Sequence, residues 1–484
     1  MTQRRTGTQR EEQSPRPAAA SPGGSGAGDP RRILTVLLIG VFLGALDIAI
    51  VGPALRPIGS SFGVDERRLA WVFTIYVLFN LIGNPLMAKL SDLYGRRPVY
   101  MLDIGLFALG SAVVATSPSF PVLLAGRAVQ GFAAGGIFPV ASATIGETFP
   151  PERRGRALGL TGAMFGLAFL LGPVVSGVLL RLGLGWQWLF LINLPLAALV
   201  LVMSHRVLPA VRRAPQARFD WAGMAFLAAG LVSLALGLNR IDSQRFIASL
   251  ASPRVWPLFA VAVPALILFA RVERGVPEPL IRPELLRNRQ LGLANALSGL
   301  SGLIQAGLVF VPSLAAAAFG VNPSDASFLL GPAVLASTIG APLAGRLLDQ
   351  AGSRAVIASG TALLGLGLLL VPAATSGLPW FIADGVVIGF GLASLTGAPL
   401  RYVVLNEAGP DSRAAAQSLL AVTSNIGQMA GSAVFGAVIA SHGGTVAGYE
   451  QAFTGLGVLA VAGFVLSLGL RDREGERQAA LNSA

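Results

Sequence analysis

Apolar runs of about 20 residues, the length that crosses a bilayer as a helix, follow one another from Ile33 to Leu470, separated by short loops that hold nearly all of the charge. A bilayer core gives a backbone N–H or C=O no partner, so each run must close its own hydrogen bonds as a helix. With a window of about 19 residues, spans are predicted near 33–54, 69–89, 98–117, 120–145, 157–180, 187–205, 219–238 and 254–271. Six more are predicted near 291–316, 325–347, 354–373, 379–403, 413–440 and 448–470. The expected fold is an all-α polytopic membrane protein of fourteen spans. Composition agrees, since 12% of the residues are charged where a soluble domain has about a quarter. The 60 Gly let membrane helices approach closely, and Pro is tolerated where neighbours satisfy the freed backbone.

The net charge of +12 is distributed as a topology signal. With both termini on one face, 27 of the 36 Lys and Arg fall on that face and 7 on the other, leaving Arg127 and Arg401 inside spans. The asymmetry predicts cytoplasmic termini, with contact to anionic lipid and none to nucleic acid. Residues 1–32, rich in Arg, Ser, Pro and Gly, read as a disordered cytoplasmic tail, and 471–484 as a cytoplasmic tail. The first span is too long for a signal peptide and carries Asp47. Cysteine is absent, which excludes disulfides, thiolate metal sites and Cys nucleophiles. His205 and His442 lie at span ends and form no His-Glu-x-x-His pair, so neither a metal site nor an intramembrane enzyme is expected. No phosphate-binding loop is present, so no ATP hydrolysis and no cofactor are implied.

An internal repeat divides the chain. Asp92, Gly95 and Arg97 recur as Asp349, Gly352 and Arg354 at a shift of 257, Phe62-Gly63-Val64 as Phe319-Gly320-Val321 at the same shift, and Glu147, Pro150 and Arg153 as Glu407, Pro410 and Arg413 at 260. Two parallel six-helix bundles are therefore expected at 33–205 and 291–470, joined by a 206–290 linker holding two extra spans. Parallel repeats of this kind place a binding site near the midplane between the halves and alternate access to it by rocking. The reading is a transporter.

The loop Ala88-Lys-Leu-Ser-Asp92-Leu-Tyr-Gly95-Arg96-Arg97 resembles the signature loop of the major facilitator superfamily, with Ala88 where a Gly is usual. Leu46-Asp47-Ile-Ala-Ile-Val-Gly-Pro53-Ala-Leu55 resembles the first-helix motif of its fourteen-spanner drug:proton antiporters. Arg127, Gln130, Gly131 and Gly135 resemble that group's proton-coupling motif, and Gly166, Gly172, Pro173 and Gly177 its antiporter motif. Trp186-Gln187-Trp-Leu-Phe-Leu-Ile-Asn193-Leu-Pro195 is similar to a further family segment, with Gln187 where Arg is common. The resemblance implies a monomeric, proton-driven exporter of small hydrophobic or amphipathic compounds in a bacterial inner membrane. A lipid or glycolipid exporter on the same scaffold is the competing reading, because the spans hold few acids.

A charge at mid-membrane costs about 2.5–3.5 kcal/mol on insertion scales, so those present are kept for pairing or function. The candidates are Asp47, Arg127 and Arg401, then Asp103 and Asp384 nearer span ends. The repeat sets Asp47 opposite Ile304, Arg127 opposite Val387 and Arg401 opposite Ala141, so none of the three is architectural in both halves. Asp47 either takes up and releases a proton, with Arg127 as the counter-charge, or forms a static ion pair with Arg127 or Arg401. Arg401 either serves coupling or substrate, or snorkels to the cytoplasmic interface. Asp92, Gly95, Arg96, Arg97, Glu147 and Arg153, with Asp349, Arg354, Glu407 and Arg413, suit conformational gating by ion pairs. Asn80, Asn84, Gln130, Asn193, Asn295, Gln305, Asn425 and Gln428 either line the cavity or bridge helices. The aromatic residues of span two, Trp71, Phe73, Tyr76 and Phe79, either stack on an aromatic ligand or pack in the core or against lipid.

Overall fold

In the computed structural model, the residues described are 29–64, 66–69, 71–210, 220–241, 245–276, 279, 285, 287–321, 326, 328–409 and 412–476. Most of the tail predicted over 1–32, part of the 206–290 linker and residues 477–484 lie outside them. The first eight helices are α1 (Pro30–Phe62), α2 (Glu66–Leu69), α3 (Trp71–Tyr94), α4 (Arg96–Ala115), α5 (Phe120–Thr148), α6 (Pro151–Arg181), α7 (Gln187–Leu191) and α8 (Asn193–Val207). Then come α9 (Trp221–Asn239), α10 (Phe246–Leu250) and α11 (Trp256–Val272). The last set is α12 (Arg289–Leu308), α13 (Val311–Phe319), α14 (Gly331–Ala351), α15 (Ser353–Ala374), α16 (Leu378–Thr396), α17 (Ala398–Glu407), α18 (Arg413–Ser441) and α19 (Val446–Ser467).

Among the described residues, eleven helices or helix pairs are long and apolar enough to cross a membrane. Helix α11, at 17 residues, is apolar but shorter. Helices α14 and α18 are long enough but less apolar, because they carry Ser, Thr, Asn and Gln toward the interior. Large apolar side chains stand exposed around the bundle, among them Leu109, Val174, Ile339, Trp380 and Val458, as a lipid-facing surface requires.

Three predicted spans are broken. The span over 187–205 is interrupted at Ile192, that over 291–316 at Val309 and Phe310, and that over 379–403 at Gly397. Pro195, Pro312 and Pro399 follow these breaks closely, each lacking the N–H that would continue the ladder. The turns that join α3 to α4 and α14 to α15 match across the repeat: Gly95 has φ 98 and Gly352 φ 83, a backbone that disfavours any other residue.

Each half closes on glycine. In the first, Gly131 and Gly135 of α5 press on the backbone of α3, where a Cβ at Gly135 would sit 2.7 Å from the Asn80 carbonyl oxygen. In the second, Gly389 of α16 meets the Ala333 carbonyl of α14 as Gly131 meets that of Tyr76. The halves touch along two seams related by the repeat, α3 against α18 and α6 against α14. The α6–α14 seam is lined with small residues: a Cβ at Gly159 would lie 2.8 Å from the Ala341 carbonyl, and Gly155 faces Gly345. The α3–α18 seam is flanked by the extra helices, where Leu78, Leu81 and Val422 pack with Leu227 and Leu231 of α9 and Phe269 of α11.

Candidate functional site

Asp47, midway along α1, is fully buried and meets Arg127 of α5, with 2.6 Å between Oδ2 and Nη1. Its other oxygen accepts from Gln130 Nε2 at 3.0 Å and from Asn193 Nδ2 at 3.1 Å. Arg127 also donates to Gln130 Oε1 at 2.9 Å and to the Val72 carbonyl at 3.2 Å, while Ser111 of α4 accepts from Gln130 at 2.7 Å. Four side chains from α4, α5 and α8 thus gather around one carboxylate of α1, three of them donating to it directly. The break at Ile192 positions Asn193 for this role, since it makes Asn193 the first residue of α8.

Tyr76 separates this network from the central cavity. Its ring lies 4.4 Å from the Arg127 guanidinium carbon, and the same residue lines a cavity of about 400 Å³ between the halves. Trp71 and Phe73 are 38% and 46% exposed and Tyr76 is 2% exposed, in line with packing against lipid and in the core; the Tyr76 ring's place on Arg127 and in the cavity wall carried no signal in the sequence. Ser111 carried no sequence signal, being one serine among apolar neighbours. Asn80, Asn84, Gln305 and Asn425 line the cavity, and Asn425 donates to Asn80 across the α3–α18 seam at 3.5 Å.

The second half lacks this chemistry. The paired glycine contacts, Gly131 on Tyr76 and Gly389 on Ala333, set the offset at 258 for α5 and 257 for α3. Arg127 therefore stands opposite Gly385, a correction to Val387, while Gln130 and Ser111 face Ile388 and Leu368. Asp103 is fully buried beside Gly136, with neither carboxyl oxygen hydrogen-bonded among the described residues. Asp384 is buried in an apolar side pocket with Phe381, Ile388 and Phe453, apart from Asp47.

Arg401 does not snorkel. The break at Gly397 starts a new helix one turn before it, and its guanidinium lies in the central cavity, 4.3 Å from the Phe138 ring and donating to Ser142 Oγ at 3.1 Å. Of the two readings open for Arg401, the structure favours the one that places it at the cavity.

The cavity lining on α6 and α14 stops at Gly162 and Ala341, short of the ends that carry the repeated loops. There a two-part latch closes the halves. Asp92, at the end of α3, pairs with Arg96 and accepts from Ala415 N, at the start of α18, at 3.2 Å. Asp349, at the end of α14, accepts from Gly155 N at 3.0 Å and Arg156 N at 3.1 Å at the start of α6. Each aspartate thus caps a helix of the opposite half, where orphan N–H groups and the helix dipole favour an anion. Burial nonetheless raises the Asp349 carboxyl to about 6, the two N–H donors offsetting part of the rise.

The supporting ion pairs are less symmetric than the repeat suggests. Arg96 also binds Glu147 at 2.8 Å, and Arg97 donates to His205 at 3.0 Å. Arg354 is exposed and makes no ion pair among the described residues; Ser353 stands in Arg96's place and donates to Glu476. Burial raises the Glu476 carboxyl to about 7. Residues 471–476, at the start of the predicted cytoplasmic tail, dock on the second half: Arg471 pairs with Glu407 at 2.7 Å and Arg473 donates to the Asp349 carbonyl. Arg153 is likewise exposed without an ion pair among the described residues, and the neighbouring Arg154 makes the crossing instead, to Asn406 at 2.9 Å. Arg413 reaches the Gly146 carbonyl at 3.5 Å.

In the antiporter-motif helix α6, Gly166 packs on Thr338 of α14 and Gly172 on Ala49 of α1, where a Cβ would lie 2.5 Å from the Ala49 Cβ. Gly177 meets open space, and the Pro173 side chain lies outside the described residues.

Comparison with known proteins agrees with this architecture. The model of the Major Facilitator Superfamily matches residues 37–281 and 291–483. An uncharacterized MFS-type transporter, YfiU of Bacillus subtilis, is 37% identical over 81% of this chain and 77% of its own length. Multidrug resistance protein 3 of the same organism is 30% identical over 83% and 78%. A triacylglyceride transporter of Mycolicibacterium hassiacum is 31% identical over 78% and 74%. Among solved structures, the human organic anion transporter MFSD10 shares the fold with a TM-score of 0.67 at 20% identity, over 90% of this chain and 99% of that one. The chain is a multi-pass membrane protein belonging to the Major Facilitator Superfamily.

Proposed function

We propose that the protein is a proton-driven exporter of hydrophobic or amphipathic compounds, acting as a monomer in a bacterial inner membrane, with fourteen spans and cytoplasmic termini. The observation that carries this reading is the buried Asp47–Arg127 pair, held by Gln130 and Asn193 and divided from the cavity by the Tyr76 ring. A structural ion pair needs no such proximity to a cavity, whereas a carboxylate that exchanges protons with one does. In the outward state the proton enters past Tyr76 and neutralises Asp47, which releases Arg127. In the inward state the proton leaves and the pair re-forms, with cargo binding from the cytoplasmic side promoting that release. One proton falling through 100 mV supplies about 2.3 kcal/mol, which sustains roughly a 40- to 50-fold gradient of an uncharged cargo at about 1.4 kcal/mol per decade. The multidrug resistance relative supports this class of cargo. The triacylglyceride transporter relative, with the absence of acidic residues from the cavity lining among the described residues, favours lipid as the second reading.

The test is efflux from energised vesicles of three amphipathic dyes, cationic, neutral and anionic, and of a fluorescent glyceride. Export of any of them that stops with a protonophore and with Asp47→Asn supports the proposal. Export that survives both would sink proton coupling, and movement of the glyceride alone would select lipid export.

A further inference from the structure

Arg401 is the one charged side chain among the described residues that line the central cavity, and no acid faces it there. It forms no ion pair among the described residues, its polar contact is the neutral Ser142 hydroxyl, and Phe138 covers one face of the guanidinium. A guanidinium carries five N–H donors in a planar fork shaped for a carboxylate, sulfonate or phosphate. Ser142 engages one of them, and Arg401 forms part of the cavity wall. An uncompensated cation between two six-helix halves is costly to keep, so an anion is the partner its position lacks. One side of the wall is apolar: the tilted rings of Phe138 and Phe165 lie with centroids 4.4 Å apart, and Phe169, Leu392 and Leu395 also line the cavity. At about 400 Å³ the space suits one drug-sized molecule.

We infer that the cavity selects amphiphiles with a single acidic head group, which Arg401 binds while the aromatic and leucine wall takes the apolar body. This deepens the exporter reading and rests on it for the direction of transport alone. The site also belongs to both halves. Arg401 and Ser142 lie 259 positions apart, within the range of the repeat, and they touch, so the guanidinium sits close to the pseudo-twofold axis. An anion there would compete with Ser142 for Arg401 and so weaken a contact that joins the halves.

The test is binding of tritiated dodecanoate to the full-length protein in nanodiscs of neutral lipid, less an empty-nanodisc background, with unlabelled dodecanoate, methyl dodecanoate and dodecyltrimethylammonium as competitors. The three share an apolar body and differ in head-group charge. Wild type should prefer dodecanoate by at least about tenfold over both others, the scale of a charge-assisted hydrogen bond. Arg401→Gln should bring the three within about threefold, and Arg401→Lys should keep part of the preference. If Arg401→Gln fails to fold, Ser142→Glu places a carboxylate beside an intact Arg401 and should abolish the preference in the same way. Stronger displacement by the ammonium, or a preference unchanged in both Arg401→Gln and Ser142→Glu, overturns the inference. Repeating the assay with phosphatidylglycerol in the disc identifies the source of the ligand: competition marks a lipid head group, its absence a water-borne acid, and both retain the site. No gradient is applied, so binding with no protonophore-sensitive transport would remove the exporter reading and leave this one standing.

Discussion

At the Asp47 site the energetic risk lies in breaking the pair and not in deleting it. Arg127→Ala leaves a fully buried carboxylate with only two neutral amide donors, and such a truncation costs about 3–5 kcal/mol. Asp47→Asn combined with Arg127→Ala removes both charges, so the double variant should recover at least half of that loss. Thermal unfolding of purified wild type, both single variants and the double variant measures this as a coupling energy. Additive effects of the two substitutions would mean the pair is not one unit. Asp47 and Arg127 were legible in the sequence because charges inside apolar runs are conspicuous. Tyr76 and Ser111 were not, because nothing in one dimension distinguishes a ring stacked on a guanidinium from one facing lipid.

At the scale of helices, Asp349 connects pH to the latch. It lies two residues beyond the predicted span, is half-buried, and caps α6 in the opposite half, with Arg156 and Glu152 nearby as opposing charges. Its carboxyl is raised from 3.8 to about 6 in the closed latch, chiefly by burial. A group that binds its proton more tightly when closed favours closure fully below the lower value, and that contribution is lost as pH rises through about 6. Spin labels on Arg153→Cys and Arg354→Cys, two exposed sites on the latch face of a chain without native cysteine, read the separation of the halves. The short-distance population should fall between about pH 5 and 7 and become flat over that range in Asp349→Asn. Glu476 titrates near the same range, but it bridges Ser353 within one half, so Glu476→Gln should leave the curve in place. The spans themselves were legible from hydropathy. Their breaks at Ile192, Val309–Phe310 and Gly397 were not, because membrane helices often tolerate Pro without breaking, and it was the break at Gly397 that turned Arg401 inward.

For the whole molecule, a nearly symmetric scaffold carries an asymmetric chemistry. The turns at Gly95 and Gly352, the latch aspartates and both seams repeat across the halves. The buried ion-pair network belongs to α1, α4, α5 and α8, while its counterparts Ile304, Gly385 and Ile388 are apolar or bare. The unpaired cavity cation comes from the other half, on α17. If the proton works in one half and the cargo is anchored from the other, only rocking of the halves joins them, and the two functions separate by mutation. Asp47→Asn, whose amide is neutral in every state, should then still exchange an impermeant arylsulfonate dye across proteoliposomes at within about threefold of the wild-type rate, a barrier change under about 1 kcal/mol. It should not accumulate the dye when a proton gradient is imposed, whereas Arg401→Gln should lose preference for the sulfonate and keep the proton dependence of whatever dye it still carries. Loss of exchange as well as accumulation in Asp47→Asn would show that the ion pair holds the halves in a competent shape, and that proton and cargo do not divide between them.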